Sequence, residues 1–282
     1  MRRATLAIIA GLSIFCETAS CREAQFVPAA AQLPSLPAPA LAGAGRLLAI
    51  RGRGELLVCT APDLPAISWR NARNGAMEGL DADMAHALAA RLSVRPVFLD
   101  SPAGSAIAML ERGGCDLGMG GLGISGARAE RVAFTKAYMA GPLAAVVPRA
   151  SQRVAGWAEL DRKGVVVAVI AGSVAEESMR QRLRQAELLP VRAPSVPEQE
   201  INAGRADVFV TDHADSWRLR GEGSWQVLDA PHSLADTLYA YAVPKGDPAW
   251  LAEVNGFLAS ARSDGTLFRA AQRWGLRPML AE

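Results

Sequence analysis

Short apolar runs alternate with helix-patterned stretches from Glu55, and the pattern restarts at Val165; no other feature constrains this chain as much. In the first run, Leu56 to Thr60, Val94 to Leu99 and Asp116 to Met119 read as strands. Between them, Met84, Leu88 and Leu92 recur at helical spacing in a helix starting near Asp81, and Ser105 to Arg112 reads as another. Asp81 and Asp83 suit the positive end of the first helix. After an unbroken apolar strand from Pro142 to Pro148, strand Val165 to Ile170 leads into a helix from Val174 to Ala186, which Ser173 can cap. Leu188 to Val191, Asp207 to Val210, Trp225 to Asp229 and Leu238 to Val243 read as further strands. Helices are expected from Pro197 to Ala203, after Asp212, from Pro248 to Ala261 and from Leu267 to Trp274. Strands alternating with helices imply an α/β fold with parallel sheets. Two such units, crossed at 142–148 and 238–243, imply two lobes with a ligand cleft between them.

A chain of 282 residues can build a core in each lobe. Its net charge of +2 gives no general attraction for nucleic acid, and no run of Lys and Arg is interleaved with aromatics. No Cys/His spacing suggests a metal site, and no cofactor is expected. Gly121-Leu-Gly-Ile-Ser-Gly126 has the spacing of a dinucleotide fingerprint. It lacks the long helix and the acidic residue about 20 positions on that such a site needs.

The N-terminus reads as an export leader. Arg2-Arg3 precedes an apolar run from Ala4 to Phe15, too short to span a bilayer comfortably. Thr18-Ala-Ser-Cys21 resembles a degenerate lipidation motif, in which Cys21 would be acylated; the alternative is cleavage after Ala31. Residues 1–20 are therefore assigned to the signal peptide, and the Ala/Pro-rich residues 21–45 to an extended tether. Cys16 would leave with the leader. Cys59 and Cys115, placed on two parallel strands, are expected on the order of 10 Å apart, and so to remain free thiols.

Cys115 to Phe134 carries the densest chemical signal: a strand, then Gly120, Gly121 and Gly123, then Arg128. Glycines let the backbone approach a ligand closely, and a guanidinium fork beside free N–H groups forms a clamp for a carboxylate or phosphate.

Several short motifs, in order, resemble the family 3 extracellular solute-binding proteins of ABC importers, the polar amino-acid class of type II periplasmic binding proteins. They are Gly79-Leu-Asp-Ala-Asp-Met84, Gly113-Gly-Cys-Asp116, Ile124 to Phe134, Val167 to Glu176, Gly204-Arg-Ala-Asp207 with Thr211-Asp212, and Ala242 to Pro248 through Asp264 to Trp274. The resemblance covers Glu55 to Gly275. It implies a two-lobed type II fold with two crossing hinge strands, lobe 1 formed by 46–143 and 239–282 and lobe 2 by 144–238. It implies that Arg128 grips a ligand α-carboxylate, with Ser125 and the N–H groups around Gly121 and Gly123 as further donors. Ser173 and the N–H of Val174 would close on the same carboxylate from lobe 2, and Asp212 would hold the ligand ammonium. In the family's aromatic loop this chain has Asp63-Leu-Pro-Ala-Ile-Ser-Trp69, so Leu64 and Ile67 replace rings and Trp69 is expected to compensate at the cleft wall. The implied function is extracytoplasmic, non-catalytic capture of a small zwitterionic or anionic metabolite by a monomer that delivers it to an ABC permease. Two alternatives share the scaffold: an exported cyclohexadienyl-dehydratase-like enzyme using Asp212 and Asp215, and a sensing subunit of a membrane receptor.

Overall fold

The computed structural model describes residues 45–281 except 102–104, 193–194 and 221. The expected leader, Cys21 and the tether up to residue 44 lie outside the described residues.

Lobe 1 opens with α1 (Arg46–Arg53), β1 (Glu55–Thr60), β2 (Asp63–Leu64), β3 (Ser68–Arg70) and β4 (Met77–Glu78). It continues through α2 (Leu80–Leu92), β5 (Arg95–Asp100), α3 (Ser105–Glu111), β6 (Leu117–Gly118), α4 (Gly126–Ala129) and β7 (Val132–Phe134). β8 (Met139–Gly141) crosses to lobe 2, which holds β9 (Leu143–Pro148), β10 (Val166–Ile170), α5 (Val174–Arg182), β11 (Glu187–Val191), α6 (Pro197–Asn202), β12 (Val208–Asp212), α7 (His213–Arg220) and β13 (Trp225–Asp229). β14 (Thr237–Tyr239) crosses back, antiparallel to β8, to β15 (Ala242–Pro244), α8 (Pro248–Ser263) and α9 (Thr266–Arg273).

The two sheets have one plan. Lobe 1 runs β5-β1-β6-β15-β7 and lobe 2 runs β11-β10-β12-β9-β13. In each, three parallel strands are followed by an antiparallel one. Each lobe buries two apolar clusters. In lobe 1, Leu56, Val58, Met84, Leu88, Tyr241 and Trp250 pack between sheet and helices; in lobe 2, Val147, Val167, Val169, Met179 and Val210 do so.

A Gly-x-x-Asp motif ties down β1 in lobe 1 and β10 in lobe 2 in the same way. Asp116 accepts the N–H of Leu57 at 2.9 Å, and Asp207 that of Val166 at 2.9 Å. Each carboxylate also meets arginine. Arg153 reaches Asp207 at 2.8 Å, while Arg46, at 3.1 Å, and Arg53 hold Asp116. Both partners of Asp116 lie on α1, a helix that apolar periodicity did not announce because Ile50 alone of its residues is buried.

Three expectations change. The loop from Asp63 to Trp69 is part of a three-stranded antiparallel meander, β2-β3-β4. The helix from Val174 stops at Arg182 rather than Ala186, because Leu183 is extended and the Asp161 carboxylate takes the N–H groups of Arg184, Gln185 and Ala186 at 2.8, 2.7 and 3.0 Å. Cys59 and Cys115 are not free thiols: they form a disulfide, with Cα atoms 5.8 Å apart. Cys115 precedes β6 instead of lying in it. It shares with Cys59, Ile107 and Leu110 the apolar cluster under α3, on one face of the sheet. The in-plane separation of two parallel strands therefore does not apply. Among the described residues, no helix is long and apolar enough to cross a membrane.

Candidate functional site

A cavity of about 430 Å³ lies between the lobes. Lobe 1 lines it with the glycine bend 120–123, Leu64 and Arg128, lobe 2 with Ser173, Val174 and Asp212, and Thr237 and Tyr239 come from a crossing strand. Asp63, Glu198 and Asp215 also line it.

The bend is built by a buried acid. Asp81, 1 % exposed, sits at the start of α2, but its work is across the lobe rather than at the helix end. Its Oδ2 accepts the N–H of Gly120 at 2.7 Å, the N–H of Gly121 at 3.0 Å and the Tyr138 hydroxyl at 2.9 Å, and its Oδ1 accepts the Tyr241 hydroxyl at 3.2 Å. Burial pushes this carboxyl above the ordinary range, while the tyrosine and backbone donors pull it back. Gly120 needs its missing side chain: at φ 93°, a Cβ would lie 2.9 Å from the Ala61 nitrogen. The N–H of Gly121 is thus committed to Asp81 and is not a spare donor for a ligand. Ile67 packs beneath Gly121, where its methyl would be 3.3 Å from a Cβ.

Arg128 is held from both lobes. Its Nη1 donates to the Gly123 carbonyl at 3.0 Å, and its Nη2 donates to the Gly172 carbonyl of lobe 2. Removal from water lowers the guanidinium pKa, and the charges of Glu177 and Asp212 oppose that shift. Ser125 caps the short helix that carries Arg128, accepting the Arg128 N–H at 3.4 Å, and does not itself line the cavity. Trp69 lies in β3, paired to Asp63 and Glu78, and is not among the lining residues either. His213 lines a separate hollow with Asp229 and His232.

Across the cavity, Ser173 caps α5, taking the Glu176 N–H at 3.2 Å. Val174 opens that helix and meets lobe 1 so closely that a Cβ on Gly123 would lie 2.4 Å from its Cγ2. Asp212 ends β12, and its Oδ1 accepts the Asp215 N–H at 3.0 Å. Arg128, Gly123, Ser173, Val174, Asp212 and Leu64 are therefore brought to one cavity. Sequence spacing did not single out Ser101, Glu198, Thr237 or Tyr239 for this site: they lie in segments distant along the chain, and their side-chain types carry no motif. Asp63 and Thr211 lie in segments that carry motifs, but no ligand role was read for them.

Two lobes of this topology, joined by paired crossing strands and lining one cavity, define a type II periplasmic binding protein. The chain belongs to the bacterial extracellular solute-binding proteins, family 3, whose pattern matches residues 56–277. It is 24% identical over 232 residues to the ABC transporter glutamine-binding protein GlnH of Bacillus subtilis (strain 168), covering 81% of this chain and 84% of that one. It is 27% identical over 233 residues to the cyclohexadienyl dehydratase of Pseudomonas aeruginosa, covering 81% and 85%. Among solved structures, an ancestral arginine-binding protein bound to arginine superposes with a TM-score of 0.69 at 26% identity, covering 79% of this chain and 98% of that one.

Proposed function

We propose that this protein captures an α-amino acid outside the cytoplasmic membrane and presents it to an ABC permease without transforming it. The observation that carries the reading is that Arg128 from lobe 1 and Asp212 from lobe 2 line one cavity between the lobes. A zwitterion offers a carboxylate for a guanidinium fork and an ammonium for a carboxylate. Closing the lobes takes both charges out of water only when each has its partner. The carboxylate would exchange with the backbone carbonyls that now receive Arg128, and Ser173 and the start of α5 would meet it from the other side. Lobe closure about β8 and β14 is then the shape the permease reads. The reading includes a monomer exported by its leader, with Cys21 as lipid anchor if cleavage falls before it.

The test is a thermal-shift and calorimetric screen of amino acids against protein unfolded and refolded to strip carried ligand. A ligand at a hundred times its Kd stabilises the folded state by about 2.7 kcal/mol. The shift is expected to vanish in Arg128→Ala; unchanged binding in that variant would refute the clamp.

A second reading is favoured by one observation besides the dehydratase relative: Asp212 and Asp215 both face the cavity, as a carboxylate-driven elimination would require. Steady release of phenylpyruvate from prephenate would establish it and displace the first.

A further inference from the structure

Among the described residues, the buried hydroxyls that find no hydrogen-bond partner gather at the cavity. They belong to Thr60, Ser101 and Tyr239. Ser101 and Tyr239 line it, and Thr60 stands behind the glycine bend, where a Cβ on Gly120 would lie 3.0 Å from its Oγ1. Buried polar groups in folded proteins are nearly all partnered, so orphans collected at one cavity point to a ligand. The Asp212 charge acts on the Tyr239 hydroxyl, which puts Tyr239 beside the proposed ammonium site.

Ser101 stands apart from that head group. It is 2 % exposed and directly follows β5, and its N–H donates to the Thr60 carbonyl, at the end of β1, at 2.9 Å. It therefore sits at the carboxyl ends of two parallel strands, the edge of an α/β sheet where ligands are received. Ala61, which follows Thr60, and Ala106, in the first turn of α3, also line the cavity and bring no polar side-chain atom to it. A serine hydroxyl both donates and accepts, so it can serve an amide or another hydroxyl. It cannot offset a full charge, whose burial requires a counter-ion.

We propose that Ser101 is a specificity-determining residue, whose hydroxyl bonds an uncharged polar group, a carboxamide or a hydroxyl, on the side chain of the ligand. This rests on the zwitterion reading above and narrows it. A polar ligand recovers the cost of shutting an unpaired oxygen in the wall, and an apolar analogue of the same shape does not.

Isosteric pairs that exchange only the polar group test it. Refolded protein is titrated calorimetrically with L-asparagine against L-leucine, L-glutamine against L-homoleucine, and L-threonine against L-valine; the first two pairs read an amide and the third a hydroxyl. In at least one pair the polar member is expected to bind at least roughly tenfold more tightly. Ser101→Ala should bring that ratio below about threefold by weakening the polar member alone. Ligand-free Ser101→Ala should melt no lower than the parent, because the substitution removes a group without a partner, whereas a serine that serves the fold would lower the Tm. Equal or absent binding within all three pairs, a ratio that survives Ser101→Ala, or a ligand-free Tm lowered by more than about 2 °C overturns the proposal and leaves amino-acid capture standing. Binding of no amino acid, or binding indifferent to Arg128→Ala, removes the zwitterion reading and this inference with it.

Discussion

Asp81 offers the sharpest test of how the site is held. Its carboxylate gathers two backbone N–H groups and two tyrosine hydroxyls, all within 3.2 Å. Asp81→Ala would strand the Gly120 donor in the interior and leave the Gly121 and tyrosine donors without their acceptor. At about 1–3 kcal/mol for each unmet donor, the loss is about 4 kcal/mol, or roughly 8–16 °C in Tm for a body of this size. Asp81→Asn is the informative partner. Its amide oxygen can take the place of Oδ2, and its NH2 can donate to Tyr241, whose hydroxyl also accepts. That variant should stay within about 1.5 kcal/mol of the parent. Urea unfolding of ligand-free protein at neutral pH measures both. An alanine variant within about 1 kcal/mol of the parent would show that the bend does not depend on this acid. An asparagine variant as damaged as alanine would show that charge, not hydrogen-bond geometry, holds it. The pH dependence has a definite sign. Burial raises the folded-state pKa of Asp81, so the folded protein keeps this proton where the unfolded chain has released it. The contribution is full below the unfolded pKa of about 3.9 and is lost as pH rises through the raised folded value. Relative to Asp81→Asn, which cannot titrate there, the parent should lose stability as pH rises from about 4; a difference that grows with pH would contradict the assignment.

Two other perturbations probe closure and the frame. Gly123→Ala places a Cβ 2.4 Å from Val174 Cγ2 and 3.0 Å from Thr237 Cγ2, so it should weaken ligand binding at least roughly tenfold by holding the lobes apart. Adding Val174→Ala should recover part of the affinity by calorimetry, and no recovery would place the fault elsewhere than this contact. The Cys59–Cys115 bond closes a loop of sequence separation 56, for which chain entropy gives about 4 kcal/mol. Replacing both cysteines by alanine should lower the urea midpoint accordingly, and an unchanged midpoint would show that the bond adds nothing.

The alternation of apolar runs with helical spacing determined the α/β class and the two-unit organisation, because burial of a strand or a helix face leaves a period in the chain; the crossings it put at 142–148 and 238–243 are instead made by β8 and β14, and Leu143–Pro148 lies within the lobe 2 sheet. The basic leader followed by an Ala/Pro tether determined the expectation of export, and the glycines before Arg128 marked the proposed clamp. Tertiary structure decided the rest, for physical reasons that no period records. Asp81 reads as a helix-start acid until the bend folds over it, since its four donors come from residues 39 to 160 positions away. The disulfide depended on which face of the sheet Cys115 lies over, which strand spacing alone does not contain. Helix α1 is held by two arginines on Asp116 rather than by an apolar stripe, so its signal is electrostatic and nonlocal. Ser101, just after β5, and Glu198, on α6, share the cavity only because the two lobes face each other across it. Local pattern determines which elements form. Which side chains share a cavity is set by how the two sheets are laid together.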